Sequence, residues 1–391
     1  MTYFSLLRVL LYCYIIVLFL LKYKNIYMSG TSKFIFAFLL YTGLLIPFSS
    51  NPGASFGSYF KILLSMFMFI LGNNIMTNSG DLKKTQVYFL AGALIICLQL
   101  VISNVFNLKN EGVSSYNDEL ITIGGGLVDN AKSLCFIALT FPILFLQRLS
   151  SKLTTILWVT IVFSIITFLL YFNRSAILGV IVGYVVILFY LRKRAKISKI
   201  ILVTILAFII VGNFLGPVLN NLFNERVLER DVTQESRAME LEVVWGNLTT
   251  MPLHEILFGK EIYNSDFINF GRDLYHGRQL HIDYDVLVIG SGLTGLLLYL
   301  GIIFSIYKTV IRYGRYLKED VIYKILKPVV IAFIFASLII SYGGGIETIG
   351  FRSIFFLICG GILGILRNRE NEFLAKNTPG TKNELQKFTF G

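Results

Sequence analysis

The sequence predicts an all-α protein built as a polytopic bundle of transmembrane helices. Apolar side chains make up 55% of the chain, charged ones only 15%, and the mean hydropathy is +0.71, whereas a soluble domain has roughly a quarter of its residues charged. Apolar runs long enough to cross a bilayer recur along most of the chain. Lys and Arg gather in the short links between these runs, as they do in links that stay in the cytoplasm. The formal charge of +12 is therefore assigned to membrane orientation and not to nucleic-acid binding.

Run length predicts about eleven spans, within a range of roughly ten to twelve. The first run lacks a basic start and a small-residue cleavage site, so we expect it to remain as a helix. All four cysteines lie inside apolar runs, which favours small buried side chains over a disulfide or metal framework. The predicted spans are near 4–21, 34–48, 59–76, 87–106, 133–147, 154–172, 175–191, 200–216, 286–307, 328–346 and 350–366.

The basic links set the predicted orientation. Placing the three most basic segments, 192–199, 308–327 and the tail from 367, in the cytoplasm also puts the weaker basic links there. This leaves the N-terminus outside and the C-terminus inside. The expected organisation is eight helices in 1–216, a large partly helical extracytoplasmic loop at 217–285, three helices in 286–366, and a cytoplasmic tail at 367–391 whose polar composition predicts disorder.

The outer segment 217–285 contains all three histidines and a dense mixture of charged side chains. One amphipathic helix is expected in it, with Arg237 and Glu240 away from its apolar face. Such a helix either lies on the membrane surface with its charges in water or packs on the bundle and points Arg237 into a cavity. The apolar positions, spaced i, i+3, i+4 and i+7, are Leu241, Val244, Trp245 and Leu248.

Arg174 stands at the outer end of a span, where a very short link joins two helices. An arginine in this position either snorkels to the lipid headgroups or faces a groove between helices. In a groove its planar guanidinium suits a lipid phosphate, because the group binds two oxygens at once and keeps its charge.

His281, Asp283 and Asp285 alternate along the chain, and in a helix His281 and Asp285 would share a face. A metal site is a weak interpretation, since the ligands are few and lack a recognised spacing. A histidine that acts as a base beside a carboxylate, or that donates to a phosphate, is the stronger one. A solvated surface histidine remains the simplest alternative.

Gly290, Gly292 and Gly295 match the G-x-G-x-x-G pattern of dinucleotide-binding folds. They open an apolar span and have no βαβ unit around them, so the sequence predicts close packing and not nucleotide binding. Two further pairs at small-xxx-small spacing predict close helix packing as well: Gly179 with Gly183, and Gly360 with Gly364.

An ordered set of short motifs resembles a known family. In chain order it comprises Arg174, Ser175, Ala176, Ser236, Arg237, Trp245, Leu257, Phe258, Gly259, His281, Gly292, Leu293, Gly295 and Leu296. Between about residues 130 and 310 this set is similar to the bacterial O-antigen polymerase and O-antigen ligase superfamily, and the span layout extends the similarity to the whole chain.

The resemblance implies an integral-membrane glycosyltransferase of the GT-C type. Its donor would be a glycan linked to undecaprenyl diphosphate on the outer face of the bacterial plasma membrane, without a metal or other cofactor. Arg174 and Arg237 would bind the diphosphate, with Arg278 as a weaker third residue. His281 would act near the acceptor hydroxyl as base or positioning group, and Asp283 and Glu240 are alternative bases.

We therefore expect a polymerase that joins lipid-linked repeat units with inversion at the anomeric carbon. One alternative is a ligase that transfers the polymer to lipid A core or protein. Another is a flippase or transporter of the lipid-linked glycan, which the scarcity of acidic residues in mid-span disfavours. The expected partners are the donor and acceptor glycolipids, the bilayer and a chain-length regulator protein; nucleic acid is not expected.

Overall fold

The computed structural model describes residues 3–105, 127–146, 151–171, 173–191, 236–263, 280 and 282–377. Within these ranges the protein is all-helical and contains no strand, as the sequence predicts. The helices are α1 (Tyr3–Lys22), α2 (Gly30–Leu45), α3 (Pro52–Ile75), α4 (Ser79–Val105), α5 (Leu127–Ala138), α6 (Phe141–Leu146), α7 (Ser151–Tyr171), α8 (Arg174–Leu191), α9 (Ser236–Thr250), α10 (Leu253–Phe258), α11 (Asp283–Leu317), α12 (Val321–Tyr342) and α13 (Ile349–Asn377). A short 3-10 turn, Ile46–Phe48, extends α2.

Seven of the described helices are long and apolar enough to cross a membrane, and each overlaps one predicted span. They are α2 with its 3-10 turn, α3, α7, α8, α11, α12 and α13. Two shorter apolar segments also overlap predicted spans. Val9–Lys22, within α1, overlaps the span at 4–21, and Asn130–Leu144, which runs from α5 into α6, overlaps the span at 133–147. The predicted span at 87–106 lies within α4, which is helical but not among the seven. The predicted span at 200–216 lies outside the described residues. The last helix continues past residue 366, the predicted start of the tail, to Asn377.

The last helix, α13, is the central helix of the bundle, because 83% of its most apolar window is buried. It packs most extensively along α3. Glycines of α13 lie at this contact, and because they have no side chain the two helix backbones come close. A Cβ atom on Gly364 would lie 2.6 Å from the carbonyl oxygen of Asn73, and one on Gly360 would overlap the carbonyl oxygen of Phe69. The close packing predicted from the glycine spacing is confirmed.

Helix α11 is interrupted near its start, where Gly292 adopts φ 65°, a value that only glycine tolerates easily. Interrupting a helix inside a bundle leaves backbone carbonyls without partners, and these must be satisfied by neighbours. The Ile289 carbonyl accepts from the Lys260 backbone N–H at 2.9 Å, and the Ser291 carbonyl accepts from the Tyr41 hydroxyl at 2.8 Å. The glycine-rich stretch therefore serves close packing, as predicted, although the partner is a turn and not only another helix.

The helix ends that surround Asp283 form one end of the bundle, which we call the Asp283 end. Here the Ser58 hydroxyl donates to Glu347 at 2.7 Å, and the Ile346 N–H donates to Asp283 at 2.7 Å. Gly343, at the end of α12, lies against Ser175, near the start of α8. The ends of α2 and α12 and the starts of α3, α8, α11 and α13 therefore meet at one place.

The opposite ends of these helices meet at what we call the Lys327 end. The Tyr27 N–H donates to Asn74 at 2.8 Å, and the Arg367 guanidinium lies 4.0 Å from the centre of the Tyr27 ring. The Lys327 ammonium lies 5.4 Å from the centre of the Tyr190 ring. Lys327 belongs to the basic segment 308–327 and Arg367 to the tail, which the basic-residue pattern assigns to the same side of the membrane. These two segments thus lie at the same end of the bundle.

We expect Gly360→Ala to destabilise the protein by about 1–3 kcal/mol, because the added methyl forces α13 away from the Phe69 carbonyl. Thermal unfolding of the detergent-solubilised protein measures this. Gly92→Ala in α4 is the matched control, since a Cβ there meets no atom within 4 Å, and its melting temperature should stay the same or rise slightly. Equal behaviour of the two variants would show that close approach of α3 and α13 is not required.

Candidate functional site

A buried ion pair joins the starts of α11 and α13 at the Asp283 end. Arg352 is 2% exposed and Asp283 is 1% exposed, and Nη2 of the arginine donates to Oδ2 of the aspartate. The second carboxylate oxygen accepts from the Ile346 backbone N–H. Three hydroxyls accept the remaining Nη hydrogens: Tyr299 at 3.2 Å, Ser337 at 3.1 Å and Ser341 at 2.9 Å. Burying a charged pair is costly unless hydrogen bonds compensate for the lost water. Of the three guanidinium nitrogens of Arg352, only Nε has no hydrogen-bond partner among the described residues.

A second buried cation, Lys132 of α5, lies on the other side of the link between α12 and α13. Its ammonium, in a side chain that is 2% exposed, donates to the carbonyl oxygens of Gly343, at 3.3 Å, and Gly344. It also lies within electrostatic reach of Asp283. Lys132 therefore holds the backbone of this link, while Arg352 pairs with the carboxylate of Asp283.

Glu347 adds a carboxylate to the same link. Burial raises the pKa of its carboxyl above the ordinary value, and the hydrogen bond from Ser58 and the charge of Lys61 offset this only in part. Asp283 also opposes the ionisation of Glu347, so the two carboxylates interact electrostatically. Through Ser58 and Lys61, Glu347 also interacts with α3.

The turn after α10 inserts into the bundle beside this cluster. Glu261, 5% exposed, accepts from the Ser49 hydroxyl at 2.9 Å and from the Ser50 N–H at 3.0 Å, which ties the turn to the end of α2. Tyr263 is buried with φ 53°, a conformation that non-glycine residues seldom adopt. Strain of this kind persists only where the surroundings hold it in place, and it is common at functional sites.

Helix α9 packs on α11 and buries Glu240 completely. The Glu240 carboxylate accepts from the Ile282 N–H at 2.8 Å, directly before α11 begins. Asp285, 4% exposed, lies within electrostatic reach of Glu240, and its Oδ2 has no hydrogen-bond partner among the described residues. Two buried carboxylates are therefore neighbours, and within the described part of the chain one of them keeps an oxygen without a hydrogen bond.

The sequence correctly predicts that α9 is amphipathic, but the prediction is wrong in two positions: Trp245 is expected on the packed face and Glu240 away from it, and the structure has the reverse. Val244 is 1% exposed and packs with Ile289, whereas Trp245 is 63% exposed. The helix is turned so that Glu240 faces α11, because the carboxylate hydrogen-bonds the backbone there. Of the two alternatives for this helix, packing on the bundle is observed, and Glu240 is buried; that Arg237 points into a cavity stays a prediction.

Three of the residues assigned by resemblance lie at the Asp283 end: Arg174, Asp283 and Glu240. Contacts of the side chains of Asp283 and Glu240, and of Ser175 next to Arg174, show this. Arg174 is exposed at the first turn of α8, next to Ser175, which lies against Gly343. Asp283 is already paired with Arg352. Arg237 lies in the first turn of α9, but its side chain is outside the described part of the structure, as are Arg278 and His281, so their roles stay predictions.

Neither Arg352 nor Lys132 belongs to a motif in the sequence, and Lys132 has only the position of a loop boundary. Both stand at the edge of an apolar run, where an ionisable residue is costly and signals a specific partner. That signal was available, but the partners lie far away in sequence: Asp283 is 69 residues from Arg352, and Gly344 is 212 residues from Lys132.

Comparisons with known proteins add no family assignment. The chain matches no protein-family model, and no curated protein matches it.

The two aspartates at the start of α11 should respond in opposite ways to loss of charge. Asp283→Asn leaves the Arg352 cation buried without its partner and should destabilise the protein by about 3 kcal/mol or more. Asp285→Asn removes a buried charge that faces Glu240 and should leave the melting temperature unchanged or raise it. Thermal unfolding of the purified variants measures both. A destabilised Asp285→Asn, together with an unaffected Asp283→Asn, would contradict the assignment of the ion pair.

Proposed function

We propose that the protein is an integral-membrane glycosyltransferase that polymerises a surface polysaccharide from repeat units linked to undecaprenyl diphosphate. The observation that carries the proposal is the position of Arg174 at the Asp283 end, together with the buried carboxylates Glu240 and Asp285. Transfer from a lipid diphosphate needs a cation for the leaving group and a base for the acceptor, and this end of the bundle carries candidates for both.

The chemistry assigns a task to each kind of group. The acceptor hydroxyl oxygen forms a bond to the anomeric carbon of the donor while the bond from that carbon to the diphosphate oxygen breaks. The diphosphate leaves with the electron pair, and its growing charge is stabilised by cations fixed in advance. Arg174 would serve here, with Arg237 and Arg278 as further candidates. The attack comes from the opposite face, so the configuration inverts.

The proton of the acceptor hydroxyl requires a base. His281, Asp283 and Glu240 are the candidates from the sequence, and we add Asp285. Asp283 is the weakest of these, because Arg352 and the Ile346 N–H already occupy its two oxygens. Asp285 has an oxygen without a hydrogen-bond partner among the described residues, so it could accept a proton. Because α11 begins at Asp283 and Ile282 is extended, the one-helix geometry expected for His281 and Asp285 does not apply.

The proposal includes the complete membrane architecture. Eleven spans would comprise the seven long apolar helices, the two shorter ones, α4 and the predicted span at 200–216, in a GT-C-like arrangement. The Lys327 end would face the cytoplasm of a bacterial plasma membrane by the positive-inside rule. The Asp283 end would face outward, where it would meet the donor and acceptor glycolipids and a chain-length regulator protein.

Transport of the lipid-linked glycan is the second candidate, and two observations favour it. Helix α11 is broken at Gly292, and ionisable side chains are buried beside the broken segment. Discontinuous helices and buried charges are typical of the substrate and ion sites of transporters. A ligase would use the same donor as the polymerase and differ only in its acceptor.

Arg174→Ala should reduce polymer formation by about 10²-fold, because the charge on the leaving diphosphate loses one fixed cation. Arg174→Lys should retain part of the activity, since it keeps the charge but loses the two-oxygen geometry. Surface polysaccharide from a deletion strain that carries each variant provides the measurement.

Arg369→Ala, which removes an arginine from the Lys327 end, is the control and should leave polymer unchanged. Loss of polymerase activity leaves a single repeat unit on the acceptor, whereas loss of a ligase leaves none attached. Normal polymer length and amount in Arg174→Ala would exclude the role proposed for Arg174.

Purified protein in liposomes should convert a synthetic polyprenyl diphosphate oligosaccharide into a ladder of longer products, and a chelator should not abolish the ladder. A fluorescent analogue of the same lipid in the same liposomes tests transport. Movement of the analogue between leaflets without any ladder would favour the transporter and count against the glycosyltransferase.

A further inference from the structure

A basic groove lies at the Lys327 end, remote from the proposed site. It has a volume of about 820 Å³ and is formed by the start of α2, the end of α11 and the start of α12. Ser305 in its wall shares a hydrogen bond of 2.9 Å with Thr31 of α2, which holds two sides of the groove together. Five cationic side chains line it: Lys308, Arg312, Arg315, Lys318 and Lys327.

The positive charge of this groove is largely uncompensated. No carboxylate is among its lining residues, and none of the five cations forms an ion pair within the described part of the chain. Of the two nearest acidic residues in sequence, Glu319 pairs with Lys324 at 2.6 Å and also lies within electrostatic reach of Lys318. Asp320 accepts from the Ile322 N–H at the start of α12. Glu370 lies within electrostatic reach of Arg312. Such a surplus of cations favours an anionic ligand.

The groove also offers an apolar wall. Phe34 is 44% exposed and Phe304 is 63% exposed, and both line the groove beside the cations. The helices at this point run on into the apolar spans α2 and α11. A ligand that matches the whole surface therefore carries a negative group joined to a hydrocarbon chain, whereas a free phosphate would use only the basic half.

We propose that this groove binds an anionic glycerophospholipid, with its phosphate among the cations and an acyl chain against Phe34 and Phe304. Basic pockets between transmembrane helices suit anionic headgroups, because each cation near such a headgroup adds attraction. The bound lipid would tie α2 to the hairpin of α11 and α12 at this end. The inference does not depend on the reaction at the Asp283 end.

The test measures binding of phosphatidylglycerol to the delipidated full-length protein by native mass spectrometry. Each cation removed should weaken binding by about fivefold, so the triple variant Arg312→Gln/Arg315→Gln/Lys318→Gln should bind about 100-fold more weakly than the unsubstituted protein. The matched control, Lys24→Gln/Lys84→Gln/Lys376→Gln, removes three exposed cations outside the groove and should bind normally. Melting temperatures measured without the lipid show that both variants are folded.

Three competitor arms decide the identity of the ligand. Phosphatidylcholine, inorganic phosphate and a polyglutamate peptide are each added to the complex with phosphatidylglycerol, and none should displace it at equal concentration. Displacement by phosphate would indicate a simple anion site, and displacement by the peptide would indicate an acidic protein partner; either result overturns the proposal. Equal loss of binding in the groove and control variants would also overturn it, because attraction would then come from net charge.

Discussion

The arrangement of the Asp283 end depends on the ion pair between Arg352 and Asp283. Both side chains are almost completely buried, in a protein whose other buried side chains are mostly apolar. Taking two charges out of water costs more than their attraction returns unless hydrogen bonds satisfy them. Here the hydroxyls of α11 and α12 and a backbone N–H supply most of those bonds, so the pair can form only when α11, α12 and α13 are in their correct relative positions. We interpret the pair as a device that specifies position more than as a source of net stability.

The broken helix α11 extends this constraint toward the candidate bases. Because Gly292 frees carbonyls at the break, the turn around Lys260 can enter the bundle and bond to them. That turn brings Glu261 against the end of α2. The short helical segment before the break begins at Asp283 and carries Asp285. The ion pair therefore fixes the start of the segment, and the turn fixes its end, which leaves the carboxylate of Asp285 in a defined place.

Much of the fold could be predicted from the sequence because membrane spans depend on local composition. Seven predicted spans coincide with long apolar helices, and glycine spacing correctly indicates the close contact of α13 with α3. Features that depend on distant partners could not be predicted in this way. In the sequence, Lys132 has the position of a basic residue at the end of a loop. The structure shows that it is buried and donates to the carbonyl oxygens of Gly343 and Gly344. Trp245 fits an apolar face by spacing, but Glu240 turns that helix, because its carboxylate bonds to the backbone of Ile282. The Asp285 carboxylate was visible in the alternating pattern with His281, yet only the structure separates it from Asp283, whose charge is already neutralised.

The contrast between Asp283 and Asp285 also limits what the site can do. A carboxylate held by an arginine and a backbone N–H has its negative charge stabilised, which makes it a poor proton acceptor and a good structural anchor. A buried carboxylate beside another carboxylate is destabilised when charged, so it gains by taking up a proton or by meeting a cation. Glycosyl transfer requires such a group to receive the acceptor proton, and a proton-coupled transporter requires it to change charge during the cycle. Both candidate functions therefore assign a role to Asp285 and Glu240. They differ at Arg174: in a glycosyltransferase it would bind a diphosphate that leaves the sugar, and in a transporter it would bind a headgroup that crosses the membrane unchanged.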